Sequence, residues 1–292
     1  MNSPKLVVTV ALFTVLEDFN MFTVPSSLVS IGEATDRFGM GLFVLTKKSD
    51  LSTGEPDKRA LPSVAVDSNE SLEVAAQRVL NEGLGISAAV RLRQTRIFDE
   101  PDRTSGERTV SVTYWGFANL EDIAPVLGGK EQVGLELVSS SSLLDKWGPR
   151  LREHDGLSRF GGRFAPGEVR GHDLITSRDL AGDSILDIDH DAMVLLSWRK
   201  LRYAFGGKLD PFRFLEATAL PEAFRLSDLR ELQDVCRGER SQVDQFRRSL
   251  LSESSFISES RIKEEKQKRP GKPATLYSLR DWADPNKNLN ID

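Results

Sequence analysis

Apolar and polar positions divide the chain into stretches of different period. Residues 6–13, Leu-Val-Val-Thr-Val-Ala-Leu-Phe, are almost continuously apolar and largely β-branched. That is the pattern of a strand buried on both faces. Residues 41–48 give a second strand, with Lys47 and Lys48 at its end. Over 71–82 the period lengthens: Leu72, Ala75, Ala76, Val79 and Leu80 recur at spacings of three and four, and Gly83 and Gly85 follow as stop signals. The spacing predicts a helix. Residues 90–98 and 108–117 read as two more strands around a polar loop at 99–107. Strands mixed with one strong helix predict an α/β (α+β) domain over 1–150.

Residues 151–186 are rich in Gly, Arg and Asp without periodicity and read as an irregular linker or insertion. A helix is expected over about 191–205, with Val194, Trp198, Leu201 and Phe205 as its apolar stripe and Gly206-Gly207 as its end. Farther on, Ser227 is placed to cap a helix whose inward face is Leu229, Leu232 and Cys236, broken by Gly238. Ser241 is placed to start a second helix, with Asp244 as its capping-box partner and Val243, Phe246 and Leu250 facing inward. Gln242, Gln245, Arg247 and Arg248 are left outward. Two strand-like runs, 256–263 and 274–279, flank the tip Lys266-Gln267-Lys268-Arg269-Pro270-Gly271-Lys272-Pro273. Two short helices, a tight turn and a basic-tipped hairpin predict that 187–292 is a linking helix plus a winged helix-turn-helix domain.

Charge sharpens this division. The chain has 292 residues and a formal charge of −5, yet residues 237–280 hold eleven Lys/Arg against six Asp/Glu, a net +5 that leaves −10 elsewhere. A basic module on an acidic body suits contact with a polyanion at one end only, although a solvated charged face would look the same. The hydrophobic content of 39% and charged content of 28% exclude a fibrous or wholly disordered chain. A single cysteine, Cys236, excludes a disulfide framework and points to a reducing compartment. The longest apolar run, 6–16, is about half the ~20 residues of a membrane span. A cytoplasmic protein is expected.

Val64, Glu70, Arg78, Leu80, Glu82, Gly85 and Ile86 stand at the spacing of a known signature. This stretch resembles the Nudix hydrolase box, G-x5-E-x7-R-E-U-x-E-E-x-G-U, with U a large aliphatic. Three positions depart: Val64 replaces the opening glycine, Val79 the glutamate after the arginine, and Gly83 the second paired glutamate. Nudix chemistry needs carboxylates crowded on one helix face to hold Mg²⁺ against a pyrophosphate. In an α-helix, positions 79, 82 and 83 would converge, with Val79 where the ion belongs, so only Glu82 remains as a ligand. The resemblance extends to 98–103 and 108–114, to Asp187-Ile188-Asp189-His190-Asp191, and to the stretches 245–251 and 269–277. Together these are similar to the Nudix-related regulators of NAD metabolism. Against that pattern the chain carries extra residues at about 18–40 and another insertion at about 150–186.

The resemblance implies a homodimeric, effector-responsive transcriptional regulator, a repressor of NAD or nucleotide-sugar metabolism genes. Its partners would be double-stranded operator DNA and ADP-ribose or a similar metabolite, with no membrane, no cofactor, no metal and no catalytic residue. The alternative is a Nudix pyrophosphohydrolase acting on ADP-ribose-like nucleoside diphosphates. For the effector, Lys47, Lys48, Arg103 and Arg108 are candidates to balance phosphate charge, and Phe98 or Tyr114 to stack on a base. Glu70, Arg78 and Glu82 complete that set. Each has a plainer reading: strand-end solvation for the cations, core packing for the aromatics, and for Glu70–Arg78 a brace on the loop before the helix. For DNA, Ser241, Gln242, Gln245, Arg247 and Arg248 are candidates for the major groove, and Lys266, Lys268, Arg269 and Lys272 for phosphates or the minor groove. Asp187, Asp189, His190 and Asp191 read as caps of the following helix sooner than as a metal site.

Overall fold

The computed structural model describes residues 3–17, 29–30, 40–49, 58–101, 103–104, 107–127, 134–140, 142–143, 146, 184–204, 219–238, 240–253, 257–262 and 275–279. The chain divides into two compact units, Met1–Lys200 and Leu201–Asp292. Among the described residues no helix is long and apolar enough to cross a membrane.

The first unit is a mixed sheet built on β1 (Lys5–Glu17). Its apolar run permits burial on both faces, and Val8, Val10, Leu12 and Phe13 are within 1% of complete burial. On one side β1 pairs in parallel with β7 (Thr109–Phe117), Val8 opposite Val112 and Phe13 opposite Phe117. On the other it pairs antiparallel with β3 (Met40–Lys48), Phe13 opposite Val44. The sheet continues from β3 to β8 (Leu135–Ser139) and β2 (Val29–Ser30), and from β7 to β6 (Arg93–Phe98). Two short strands, β4 (Arg59–Ala60) and β5 (Ser63–Ala65), pair with β3 and β1.

The helix expected over 71–82 forms, but in two pieces. Ser71 caps α1 (Leu72–Arg78), its hydroxyl accepting from the Val74 N–H at 3.3 Å. A π-helical turn then runs over Val79–Gly83 and closes with the Ile86 N–H donating to the Leu80 carbonyl at 2.9 Å. Ala75, Ala76, Val79 and Leu80 are fully buried, in one cluster with Val8, Leu12, Phe43, Tyr114 and Leu137 of the sheet. Burial of each larger side chain in that stripe contributes about 1.5–3 kcal/mol. Two elements were not expected: α2 (Leu120–Leu127), which has Pro125 inside it, and β8.

The long helix expected near 191–205 is α3 (His190–Ala204). In the second unit, α4 (Leu226–Arg237) and α5 (Val243–Glu253) stand where two helices were expected. Gly238 ends α4 at φ 69°, a left-handed position that suits glycine. Ser227, however, is not the cap. The helix begins earlier, with the Arg225 N–H donating to Asp228 Oδ2 at 2.9 Å, and the Ser227 hydroxyl donates to Asp228 Oδ1 at 3.1 Å. The helix start is thus signalled by the acid in its first turn, not by the serine. Nor does Ser241 begin α5, which starts at Val243; the Ser241 N–H donates to Asp234 Oδ1 at 3.0 Å instead. Val243, expected to face inward, is 59% exposed. Phe224, Leu229, Leu250 and Ile257 form the core, with Phe246, Tyr277 and Leu279 packed against it. The two expected strands survive as β9 (Ile257–Glu259) and β10 (Tyr277–Leu279), an antiparallel pair. Phe224 adds to it, exchanging backbone bonds with Tyr277 at 2.9 and 2.8 Å.

Candidate functional site

Around α1 the three charged residues of the box gather. Arg78 Nε donates to Glu70 Oε2 at 3.1 Å, and a terminal guanidinium nitrogen donates to Glu70 Oε1 and, at 2.8 Å, to the Ala65 carbonyl. Asp67 lies 3.4 Å from the same nitrogen, and its N–H donates to Glu70 Oε1 at 2.8 Å. The Arg78 hydrogen bond, and then the Asp67 N–H, hold the Glu70 carboxyl below its ordinary range. That hydrogen bond, together with the charges of Glu70, Asp67 and Glu82, raises Arg78. Arg78 therefore braces the loop before α1, and Glu82 sits exposed beside it.

Val79 has a different place from the one its spacing suggests. The π-turn breaks the α-helical phase, so Val79 is fully buried while Glu82 and Gly83 are exposed. It fills the core and does not stand where an ion would sit. A π-turn inside a helix cannot be read from apolar spacing, because one added residue per turn leaves the pattern intact on either side.

The aromatic candidates are core residues. Phe98 is fully buried, with the Arg96 guanidinium 5.2 Å and the Arg103 guanidinium 6.0 Å from its ring centre. Tyr114 is 3% exposed, and its hydroxyl donates to Glu73 Oε1 at 3.3 Å. Burial, and then the Glu73 charge, raise the Tyr114 hydroxyl.

Arg103 is engaged inside the protein. Its Nε and a terminal nitrogen donate to the two carboxylate oxygens of Asp189 at 2.8 and 2.7 Å, with side chains 3% and 0% exposed. Asp189 belongs to a knot of buried polar residues before α3. Asp187 accepts from the Ser49 hydroxyl and from the Ile188 N–H at 2.9 Å. Asp191 accepts from the N–H groups of Ile185 and Leu186 at 2.8 and 2.7 Å. His190 Nδ1 accepts from the Leu61 N–H at 2.9 Å, so the neutral ring carries its proton on Nε2. Burial above all, with the Arg103 and Lys47 charges outweighed only in part by Asp189 and Asp187, lowers His190 to about 4. Capping was expected of these four residues; they instead tie the start of α3 to three other stretches of the first unit. Ile188 lies at φ 52° between them, a costly conformation for a β-branched residue.

Of the other cations, Lys47 and Lys48 stand at the end of β3, opposite Ala60 and Arg59 of β4. Arg108 is exposed just before β7. The structure thus brings Lys47 and Arg103 near His190, gathers Glu70, Arg78 and Glu82 around α1, and does not join these into one described pocket. Asp189 was missed as the partner of Arg103; no local signal links residues 86 positions apart.

In the second unit Gln242, Gln245, Arg247 and Arg248 are exposed on α5, and Ser241 is half-buried. Lys266, Lys268, Arg269 and Lys272 lie outside the described residues. Asp234, 4% exposed, ties the end of α4 to the turn before α5.

No family model matches the chain, and no curated protein matches it. Solved structures do. NrtR from Shewanella oneidensis complexed with a 27mer DNA superposes with a TM-score of 0.58 at 17% identity, covering 94% of this chain and 93% of that one. NrtR without DNA gives 0.57 at 17% identity, with 94% of each chain covered. A MutT/nudix family protein from Enterococcus faecalis gives 0.56 at 16% identity, covering 96% of this chain and 89% of that one. The resemblance to Nudix-related regulators expected from the box therefore holds at the level of the fold, a Nudix-like mixed α/β unit and a smaller C-terminal unit matched along nearly the whole chain.

Proposed function

We propose that the chain is an effector-responsive transcriptional regulator, with residues 1–150 as the effector domain and 187–292 as the linking helix and winged helix-turn-helix. In this reading α4 and α5 are the helix-turn-helix, and β9 and β10 are the stem of the wing. A cytoplasmic homodimer sets two α5 helices about 34–36 Å apart on duplex DNA. ADP-ribose or a related nucleotide sugar binds the first unit and changes that spacing, so the protein acts as a repressor of NAD or nucleotide-sugar metabolism genes. An effector shifts DNA binding only by its differential affinity for the two arrangements.

The observation that carries the reading is α5 itself: Phe246 and Leu250 are turned to the core while Gln242, Gln245, Arg247 and Arg248 are exposed. Arginine and glutamine are the side chains suited to guanine and adenine edges in the major groove. The full-length likeness to a structure holding DNA supports it. Burial of Val79 in the core speaks against the rival pyrophosphohydrolase reading.

The test is selection of duplexes from a random-sequence pool by the full-length protein, followed by titration of ADP-ribose into the selected complex. The reading expects a selected site with two-fold symmetry and release by ADP-ribose. Failure to retain any duplex at low salt overturns the regulator, and magnesium-dependent release of AMP from ADP-ribose, lost in Glu82→Gln, would establish the hydrolase.

A further inference from the structure

The start of α3 is held by more polar bonds than a helix start needs. Three carboxylates and a histidine, at 187, 189, 190 and 191, are all at most 5% exposed, and each is bonded to a different part of the first unit. In their midst Ile188 is kept at φ 52°. A residue in such a region costs on the order of 1–3 kcal/mol and persists only while its surroundings enforce it. Among these ties, Arg103–Asp189 differs in kind. It is a bidentate ion pair, and the Arg103 loop it anchors also connects β6 to β7. A guanidinium fork fits a phosphate as well as a carboxylate. Beyond the two bonds to Asp189, the Arg103 guanidinium makes only a 3.4 Å contact with the Thr109 carbonyl. Lys47 lies close enough to act on the same knot through His190.

We propose that the Arg103–Asp189 pair is an exchangeable lock: a diphosphate takes Arg103 from Asp189 and thereby releases the start of α3. This rests on the reading that the first unit receives a phosphate-bearing effector, and it names the event by which that effector acts. Once Arg103 is captured, Asp189 is an unpaired buried carboxylate, which is strongly unfavourable. The segment then moves toward water, and Ile188 relaxes to negative φ, which offsets part of the cost. Asp187, His190 and Asp191 keep their own partners, so the release is confined to the first turn of α3. A permanent structural pin predicts the opposite, that any ligand of this unit tightens the same segment.

Inorganic pyrophosphate is the probe, titrated calorimetrically into full-length wild type and Asp189→Asn. The lock expects Asp189→Asn to bind pyrophosphate about tenfold more tightly or better, the scale of one charge-assisted hydrogen bond no longer contested. Equal or weaker binding overturns it. Should Asp189→Asn fail to fold, amide exchange of the wild type decides: saturating pyrophosphate must speed exchange at 188–193. Slowed or unchanged exchange, or no pyrophosphate binding by the wild type, overturns the lock. ADP-ribose measured in parallel separates the two ideas. Binding of ADP-ribose without the gain in Asp189→Asn keeps the effector and rejects the lock; the gain without ADP-ribose binding keeps the lock and rejects that effector.

Discussion

A carboxylate placed at position 79 would have to lie, without a partner, in the cluster that holds Ala76, Leu80 and Leu84. Val79→Glu is accordingly expected to destabilise the protein by about 3–5 kcal/mol, the scale of an uncompensated buried charge, and to confer no hydrolysis. Urea unfolding monitored by circular dichroism measures this; a loss below about 1 kcal/mol would place residue 79 outside the core. His190 makes a second prediction at this scale. It is neutral in the fold, with a pKa of about 4, whereas an unfolded histidine takes up a proton near 6.5. The unfolded state thus gains protons first as pH falls, and stability drains from about pH 6.5 down to about 4, then levels off, for a total of about 3 kcal/mol. In His190→Gln this component of the pH dependence should vanish; identical slopes in wild type and variant would contradict the assignment.

Gly238, at φ 69°, closes α4 and opens the turn to α5. Replacement by alanine should cost about 1 kcal/mol, seen as a melting shift of a few degrees, because the left-handed position penalises a Cβ. An unchanged melting temperature would mean that the turn has another route. At the level of elements, much was legible beforehand. β1, β3, β7 and α1 announce themselves because one long face of each is buried, which imposes a period on the sequence. α2 and β8 did not. α2 has eight residues and an internal proline, and β8 has five residues with only Glu136 breaking a buried run. Pieces so short hold through the sheet they pack on, and their own sequence need not declare them. The candidate site was legible in part for the same reason. Glu70 and Arg78 lie eight residues apart, within reach of a helix pattern, whereas the Arg103–Asp189 pair is created by the fold alone.

For the whole molecule, the net +5 of 237–280 against −10 elsewhere sets how DNA should be held. Affinity for duplex DNA should fall steeply and log-linearly with salt. Arg247→Ala and Arg248→Ala should separate by role. One that contacts a phosphate weakens all sequences alike and lowers the salt slope by about one, and one that reads a base costs about 1–3 kcal/mol at a single position of the site. Filter binding across a salt series resolves the two, and no effect from either would remove α5 from the interface. The chain's history is written in a pair of positions that have not drifted equally. Beside Gly83 there is open space, with no atom within 4 Å of a would-be Cβ, so an acid could return there at little steric expense. Position 79 has no such way back, since its side chain has become part of the protein's interior. Loss of the old ligand set is in this respect a ratchet: descent from an ancestor with both acids is easy, and reversal would demand rebuilding the helix turn and its packing together.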